Sequence, residues 1–251
     1  MAVALVIAAF FVANVQIDPS LSVVSALFII ILAIPCVLAI IIWLGWKKAL
    51  ISIIILSIYA VSIETLAIIT GFPYSPFQYT ELIGTKLFGY TPFTLPFAYV
   101  PLFVGCIYLA SLFWQETSTY WKNMLKLVLI TALLVLIADL VLDPAAVALN
   151  FWVYKYHGFF YGVPLQNFLG WILTGIIAAL IGLLLFRKQL INKKTPALVS
   201  SLFLIIFFWT SICLYRQLWL PGLIGILFII FILKISRGKM GDFHVDSVDK
   251  N

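Results

Sequence analysis

The chain has 251 residues, of which 65% are hydrophobic and only 10% are charged, and its formal net charge is +6. A soluble domain is roughly 45–50% apolar and about a quarter charged, so this composition excludes a soluble enzyme and indicates an integral membrane protein. The apolar runs are continuous rather than alternating, which favours membrane-spanning helices over a barrel of strands. Cys36, Cys106 and Cys213 lie within apolar runs without metal-ligand spacing, so we interpret them as small buried side chains.

Eight apolar runs are candidates for membrane spans, because a helix needs about 20 residues to cross the hydrocarbon core. In chain order they cover residues 2–15, 21–46, 49–70, 96–114, 124–142, 168–186, 196–215 and 219–235. We therefore predict an all-α fold, a polytopic integral membrane helical bundle of about eight transmembrane helices. Residues 1–235 form its single membrane-embedded domain. Residues 236–251 are polar, and we expect them to form a mobile cytoplasmic tail.

Two connections between these spans are rich in aromatic residues. The first connection, residues 71–95, also contains several prolines and glycines. It is too apolar for an ordinary loop, but these residues interrupt it too often for a membrane-spanning helix. The second connection, residues 143–167, gathers tyrosines, phenylalanines and a tryptophan beside carboxylates. We interpret both as interfacial or re-entrant segments. Pro144 is expected to end the fifth helix at Asp143, because the residue before a proline avoids the helical state.

The basic residues are distributed unequally between the two ends of the predicted spans. If the amino terminus is cytoplasmic and the spans alternate, only Lys86, Lys155 and Arg216 lie outside. The other basic residues then lie inside: Lys47, Lys48, Lys122, Lys126, Arg187, Lys188, Lys193, Lys194, Lys234, Arg237, Lys239 and Lys250. Cytoplasmic loops carry the excess of lysine and arginine, so we predict a multi-pass cell-membrane protein with both termini cytoplasmic. The orientation of the protein in the membrane accounts for its net positive charge. We therefore expect no nucleic-acid partner. Both aromatic connections fall on the outer side, where they could meet in one site.

Glu64 lies about fifteen residues into the third span. A charged side chain at membrane depth costs about 2.5–3.5 kcal/mol on insertion scales, and it marks a functional site by default. Because desolvation disfavours the charged form, Glu64 could be a neutral acid that donates a proton at neutral pH. The alternative is a structural residue that is hydrogen-bonded to a neighbouring helix.

Asp139 and Asp143 are four residues apart and therefore share one face of the fifth helix. Two close carboxylates suit acid and base roles, because one of them holds a proton while the other stays ionised. Alternatively, the two aspartates could bind a Mg²⁺ ion that holds a diphosphate. They could also be structural, with Asp143 solvated at the end of the helix and Asp139 paired with an asparagine or a tyrosine. Asn167, at the start of the sixth span, either faces the same cavity or caps its helix. His157 stands alone in the second connection and is interpreted as a surface residue.

The aromatic residues of the two connections are candidates for substrate binding. Tyrosine and tryptophan are common at membrane interfaces, but here they cluster with carboxylates. Aromatic faces stabilise cations, so a proton donor, a basic partner and an aromatic lining suit protonation of an alkene through a carbocation. The candidate lining residues are Phe72, Tyr74, Phe77, Tyr79, Trp152, Tyr154, Tyr161 and Trp171.

Several motifs in this region resemble the CruF-type carotenoid biosynthesis proteins, a family that includes carotenoid hydratases. They are Glu64 followed by TGFPYSPFQYTELIG (70–84), DLVLDP (139–144), FWVY (151–154) and GFFYGVPLQNFLGW (158–171). The resemblance extends from Glu64 to Trp171, which is under half of the chain, and Glu64, Asp139, Asp143, Asn167 and Trp171 match the family's motif positions. Ser75 departs from the glycine expected after the proline and aromatic residue of the first connection.

The resemblance implies a membrane enzyme that adds water to a terminal double bond of a linear carotenoid. We therefore predict a carotenoid hydratase, a carbon–oxygen hydro-lyase that needs neither a cofactor nor a metal. Asp139 or Glu64 would protonate the alkene, and Asp143 or Asn167 would orient the water that adds to the tertiary cation. The expected partners are the lipophilic carotenoid, water, the lipid bilayer and other enzymes of carotenoid synthesis.

Two other classes of function stay open at this point. The first is a membrane prenyltransferase of the lycopene elongase type, or a cyclase-like isoprenoid enzyme. A prenyltransferase acting on a diphosphate would need two aspartate-rich metal motifs, and the sequence has one. The second class is a transporter or a lipid-binding membrane protein. The absence of a lysine in the middle of a span argues against a retinal Schiff base, and no Gly-rich phosphate loop, zinc spacing or haem pair is visible.

Overall fold

The computed structural model describes residues 2–16, 18–115 and 117–247, and within these ranges it contains eight α-helices and three pairs of short antiparallel strands. The helices are α1 (Ala2–Asn14), α2 (Ser22–Leu44), α3 (Trp46–Thr70), α4 (Leu95–Ser111), α5 (Tyr120–Ala148), α6 (Leu165–Asn192), α7 (Ser200–Tyr215) and α8 (Trp219–Ile235). The strands are β1 (Phe77–Tyr79), β2 (Lys86–Leu87), β3 (Thr91–Pro92), β4 (Trp152–Tyr154), β5 (Lys193–Lys194) and β6 (Asp246–Ser247). Short 3₁₀ helices cover Pro19–Leu21, Glu81–Ile83 and Pro196–Val199. Each predicted span therefore corresponds to a helix.

The described helices differ in whether they are long enough to cross a bilayer. Five segments are both long and apolar enough: Pro19–Leu44, Trp46–Thr70, Tyr120–Ala148, Leu165–Asn192 and Pro196–Tyr215. Helices α1, α4 and α8 are apolar but shorter. The 13 residues of α1 extend about 20 Å at 1.5 Å per residue, against a hydrocarbon core of about 30 Å. The chain is a helical membrane protein, and it reaches the predicted eight spans only if the three shorter helices also cross.

Helix α5 does not end at Asp143, and that prediction is wrong. The helix continues through Pro144 to Ala148. A proline inside a helix removes one backbone hydrogen bond, which membrane helices tolerate where neighbouring groups surround the break. Pro144 is buried, and Arg216 Nη2 donates a hydrogen bond to the exposed carbonyl of Ala148 at 2.9 Å. Asp143 therefore stays on the same helix face as Asp139, inside the protein rather than at an exposed edge.

The two aromatic connections meet in a two-stranded ribbon formed by β1 and β4. In this ribbon Phe77 lies opposite Tyr154, and Tyr79 lies opposite Trp152. A further backbone hydrogen bond from Lys155 N to the Pro76 carbonyl, at 2.9 Å, extends the pairing. The prediction that the two connections would meet is confirmed. The all-α prediction holds for the bundle but missed this ribbon, whose strands are only three residues long.

The carboxyl-terminal segment lies against the connection between α6 and α7. Strand β6 pairs with β5, and the Ala197 amide donates a hydrogen bond to the Asp242 carbonyl at 3.2 Å. The Ser200 hydroxyl donates to the Met240 carbonyl. Up to residue 247 the tail is therefore packed against the bundle, in contrast to the mobile tail that we expected. The rest of the tail, residues 248–251 with Lys250, lies outside the described residues.

Close packing of α5 against α6 brings the polar residues of the site together. A Cβ added at Gly175 of α6 would lie 2.8 Å from the Cα of Ala132 on α5. Small residues allow helix backbones to approach this closely in membranes. The short separation places the first turn of α6, with Asn167, beside the aspartates of α5.

Candidate active site

Three buried side chains on α5 and α6 form one group, which we call the aspartate cluster: Asp139, Asp143 and Asn167. The Asn167 Nδ2 donates hydrogen bonds to Asp139 Oδ2 at 2.9 Å and to Asp143 Oδ2 at 2.7 Å. The two aspartates are only 2% and 4% exposed. An amide nitrogen carries two donors, so this single side chain can hold both carboxylates in place.

The two aspartates differ in how many of their oxygens are hydrogen-bonded. Asp143 Oδ2 also accepts a hydrogen bond from the Tyr154 hydroxyl at 2.5 Å. Burial, and then the neighbouring charge of Asp143, raise the pKa of the Tyr154 hydroxyl well above its usual value, so it remains a donor. Asp139 Oδ1, in contrast, is buried without a hydrogen-bond partner among the described residues. A buried unpaired oxygen is costly, and such atoms mark places where a water or a substrate is bound.

Glu64 on α3 forms a second group with two tyrosines, which we call the glutamate cluster. The Tyr79 hydroxyl donates to Glu64 Oε1 and the Tyr99 hydroxyl donates to Oε2, each at 2.5 Å. Glu64 is only 3% exposed. Burial, and then the charge of Glu64, raise the pKa of the Tyr79 hydroxyl well above its usual value, so this group also stays a donor. Both oxygens of Glu64 therefore already have a partner.

Stacked aromatic rings lie beside the two clusters. Tyr74 stacks on Trp171 with ring centroids 5.3 Å apart, and Tyr99 lies 5.2 Å from the same indole. The Tyr74 hydroxyl is hydrogen-bonded to Thr174 Oγ1 at 2.7 Å, which fixes its ring. Gly170 makes this arrangement possible, because a Cβ there would lie 2.6 Å from Cδ1 of Tyr74. Tyr74, Tyr99 and Trp171 all line the cavity described below, and aromatic rings attract a positive charge.

Both clusters and these rings line one cavity of about 420 Å³. This volume lies within the range of roughly 300–1,000 Å³ that is usual for small-molecule sites. From the carboxylates the lining continues over apolar side chains of α1, α2 and α7, among them Phe11, Phe28 and Phe208. None of the described residues that line the cavity is lysine, arginine or histidine. The cavity therefore suits an apolar molecule with one end beside the carboxylates.

The structure brings most of the predicted site residues to this cavity. Glu64, Asp139, Asp143 and Asn167 all line it, and so do Tyr74, Phe77, Tyr79, Trp152, Tyr154 and Trp171. Their roles in catalysis or binding remain predictions.

Phe72 and Tyr161, which were predicted to line the pocket, do not. Phe72 follows the left-handed Gly71 that ends α3, and its side chain is 57% exposed. Tyr161 adopts a φ of 52° in a tight turn, and its hydroxyl accepts a hydrogen bond from Leu220 N at 3.4 Å instead. His157 is exposed, as predicted.

Sequence reasoning missed Tyr99 and the contribution of α1, α2 and α7. Tyr99 lies one turn inside the fourth span, and a buried hydroxyl usually needs a partner, so its position was a usable signal. The residues of α1, α2 and α7 carry no such signal, because an apolar side chain that lines a cavity looks like any other membrane residue.

Comparison with known proteins gives the family. Residues 3–232 match the carotenoid biosynthesis protein family. The chain is similar to bisanhydrobacterioruberin hydratase of Haloarcula japonica, with 34% identity over 185 residues, which is 72% of this chain. The match spans only 62% of the length of that relative. No solved structure matches the chain. The extent of the family match shows that this chain belongs to the carotenoid biosynthesis protein family.

Proposed function

We propose that the protein is a carotenoid hydratase, which adds water to the terminal double bond of a linear carotenoid. The family and the hydratase relative support a role in carotenoid biosynthesis. The observation that carries the proposal is the aspartate cluster, which faces an aromatic, otherwise apolar cavity. Such a site can deliver a proton to an alkene and hold the cation that results.

In this proposal Asp139 is the acid. The Oδ2 atoms of Asp139 and Asp143 share one amide, and two anions held so close in a buried site would repel each other. The pair therefore holds one proton between its two carboxyl groups. Asp139 has the oxygen without a protein partner, so this oxygen can face the substrate. Asp143, which accepts from both Tyr154 and Asn167, is the ionised member.

The reaction then needs no group besides the chain, the carotenoid and one water. Asp139 transfers its proton to the less substituted carbon of the terminal double bond, the π bond breaks, and a tertiary cation forms. The faces of Tyr74 and Trp171 and the negative charge of Glu64 stabilise this cation. Water adds to the cation and its released proton passes to Asp143, so the aspartate pair again holds one proton. The net change is the addition of one water, which gives a tertiary alcohol.

The experiment that tests this proposal supplies lycopene and isotopically labelled water to the purified protein in detergent. We expect the pigment to gain one labelled oxygen per reacted end, and we expect Asp139→Asn to prevent this gain. A folded wild-type protein that incorporates no oxygen would overturn the proposal. Chelation by EDTA should leave the rate unchanged. A strict requirement for Mg²⁺ and a prenyl diphosphate would instead support the prenyltransferase alternative, in which the aspartates are metal ligands.

The orientation in the membrane is part of the same proposal. With both termini cytoplasmic and eight alternating spans, the β1–β4 ribbon lies on the outer side of the cell membrane. Single cysteines in place of Lys86 and Lys155 test this, because the native cysteines are buried. Both should react with an impermeant thiol reagent added outside intact cells. Reaction only after the cells are opened would contradict the orientation.

A further inference from the structure

The cavity reaches the protein surface at α1 and α2. Most of its lining residues are buried or half-buried, but Phe11 of α1 is 57% exposed and Val24 of α2 is 62% exposed. A side chain that both lines a cavity and contacts the surroundings marks its mouth. Helix α1 packs mainly on α7 rather than on α2, so the space between α1 and α2 is not sealed by helix packing.

This mouth opens on an apolar surface. Its neighbours Val3, Ile7, Val23 and Leu27 are all more than half exposed. Such a face on a membrane protein contacts lipid tails, because these side chains would be unfavourable in water. The inner end of the passage is also apolar: Phe28 of α2 packs against Phe208 of α7 with ring centroids 4.8 Å apart, and both rings line the cavity.

Another wall of the cavity is covered by the β1–β4 ribbon. The β1–β4 ribbon lies over the carboxylates, where the side chains of Tyr79 and Tyr154 bind Glu64 and Asp143. A long apolar molecule would have to break these hydrogen bonds to enter from that side. The side between α1 and α2 offers no polar contact of this kind.

We infer that the substrate enters sideways from the bilayer through the mouth between α1 and α2, end first, and that the rest of its chain stays in this passage and in the lipid. This inference rests on the proposed function for the identity of the substrate as a linear polyene. It assigns to α1 and α2 a binding role that the acid residues do not have. The cavity then encloses the reacting end of the molecule and leaves most of its length outside.

Bulky substitutions inside the passage test this inference by pigment binding, without relying on turnover. The background is Asp139→Asn, so that lycopene stays unreacted on the purified protein. Ala8→Trp on α1 and Ala26→Trp on α2 place an indole at positions that line the cavity. Ile7→Trp and Leu27→Trp are the matched controls, because these neighbours are exposed and do not line it. One methylene in an apolar pocket is worth about tenfold or more, so the first two variants should retain at least about tenfold less lycopene than the controls.

A second measurement, thiol labelling, tests the same inference even if the tryptophan variants fold poorly. In the variant Phe11→Cys the thiol should react with a lipid-soluble thiol reagent, and bound lycopene should slow this reaction. In the variant Leu27→Cys the thiol should react at the same rate with and without lycopene. Equal lycopene retention by all four tryptophan variants, or no protection at position 11, would overturn the inference. Lycopene that binds at this mouth but gains no oxygen on the wild-type protein would overturn only the proposed function.

Discussion

The glutamate and aspartate clusters line the same cavity, yet their carboxylates are held in opposite ways. Each oxygen of Glu64 accepts a hydrogen bond from its own tyrosine. The two aspartates share the amide of Asn167, and one oxygen of Asp139 has no partner in the part of the chain that is described. In the proposed mechanism the first arrangement, in which both oxygens accept hydrogen bonds, holds the anion that faces the cation. In the same mechanism the second arrangement holds the proton that is transferred. We propose that this difference in hydrogen bonding, rather than the residue type, assigns the acid role to Asp139.

We expect the largest loss of turnover when the transferable proton of the aspartate cluster is removed. Asp139→Asn keeps the shape of the side chain and a hydrogen-bond acceptor but abolishes the acid. General acid catalysis contributes about 10²–10⁴-fold, and we expect a loss of at least this size in turnover per folded molecule. Membrane insertion and detergent elution should match those of the wild type. Near-normal turnover would show that the aspartate cluster is not the proton source.

A smaller loss is expected when the stabilising anion is removed. Glu64→Gln keeps an acceptor for one tyrosine but removes the negative charge that faces the cation. Removal of one preorganised electrostatic contact typically costs about 10²–10³-fold, and we expect the lower end because the aromatic faces remain. The rate should be measured beside Asp139→Asn under identical conditions. A greater loss for Glu64→Gln than for Asp139→Asn would reverse the roles of the two clusters and make Glu64 the acid.

A third change tests whether the phenols tune Glu64. Tyr99→Phe removes the hydroxyl that donates to Glu64 Oε2 and leaves Tyr79 on the other oxygen. A hydrogen bond to a charged group is worth about 1.5–3 kcal/mol, so we expect turnover to fall about tenfold or more, with little change in KM. Tyr59→Phe is the control, because this α3 tyrosine donates to the Thr174 carbonyl and does not line the cavity. An equal effect of both changes would indicate general destabilisation instead.

The smallest expected effect concerns the connection that carries Tyr79. Ser75 has a φ of 87°, a left-handed conformation that costs a residue with a Cβ about 1–2 kcal/mol. Glycine avoids that cost but loses part of the gain to the greater freedom of its unfolded chain. Ser75→Gly should therefore raise stability by up to about 1 kcal/mol, visible as a higher apparent Tm in detergent. Ser75→Ala, which keeps the Cβ, should give no such increase.

The sequence predicted the bundle well because helices in a membrane leave a strong signal. Long apolar runs gave all eight helices, and the four-residue spacing of Asp139 and Asp143 predicted their shared face correctly. The end of α5 was mispredicted because the local preference of the residue before Pro144 is weaker than the packing around it. Tertiary contacts decided this boundary, and no local rule contains them.

The polar residues of the site were predictable because they interrupt apolar sequence, and six of the eight predicted aromatic residues also line the cavity. Glu64 and Asn167 were found because polar side chains are rare in such surroundings. Phe72 and Tyr161 were assigned to the pocket by their composition alone, and the backbone turns them away from it. The passage through α1 and α2 had no signal at all, since its residues differ from lipid-facing ones only by their position in three dimensions.

The packing of α1 has a consequence for the order in which the protein is assembled. Helix α1 leaves the ribosome before the other described helices, but its main partner is α7, and the guanidinium of Arg216 reaches the carbonyl of Ala13 at 3.3 Å only after α7 is complete. During synthesis α1 must therefore wait in the lipid, where an apolar helix is stable alone. In this order of assembly the α1 side of the cavity forms only after α7 has been made. A nascent chain that stalls before α7 would hold its acids on α3 and α5 in a bundle that is still open on this side.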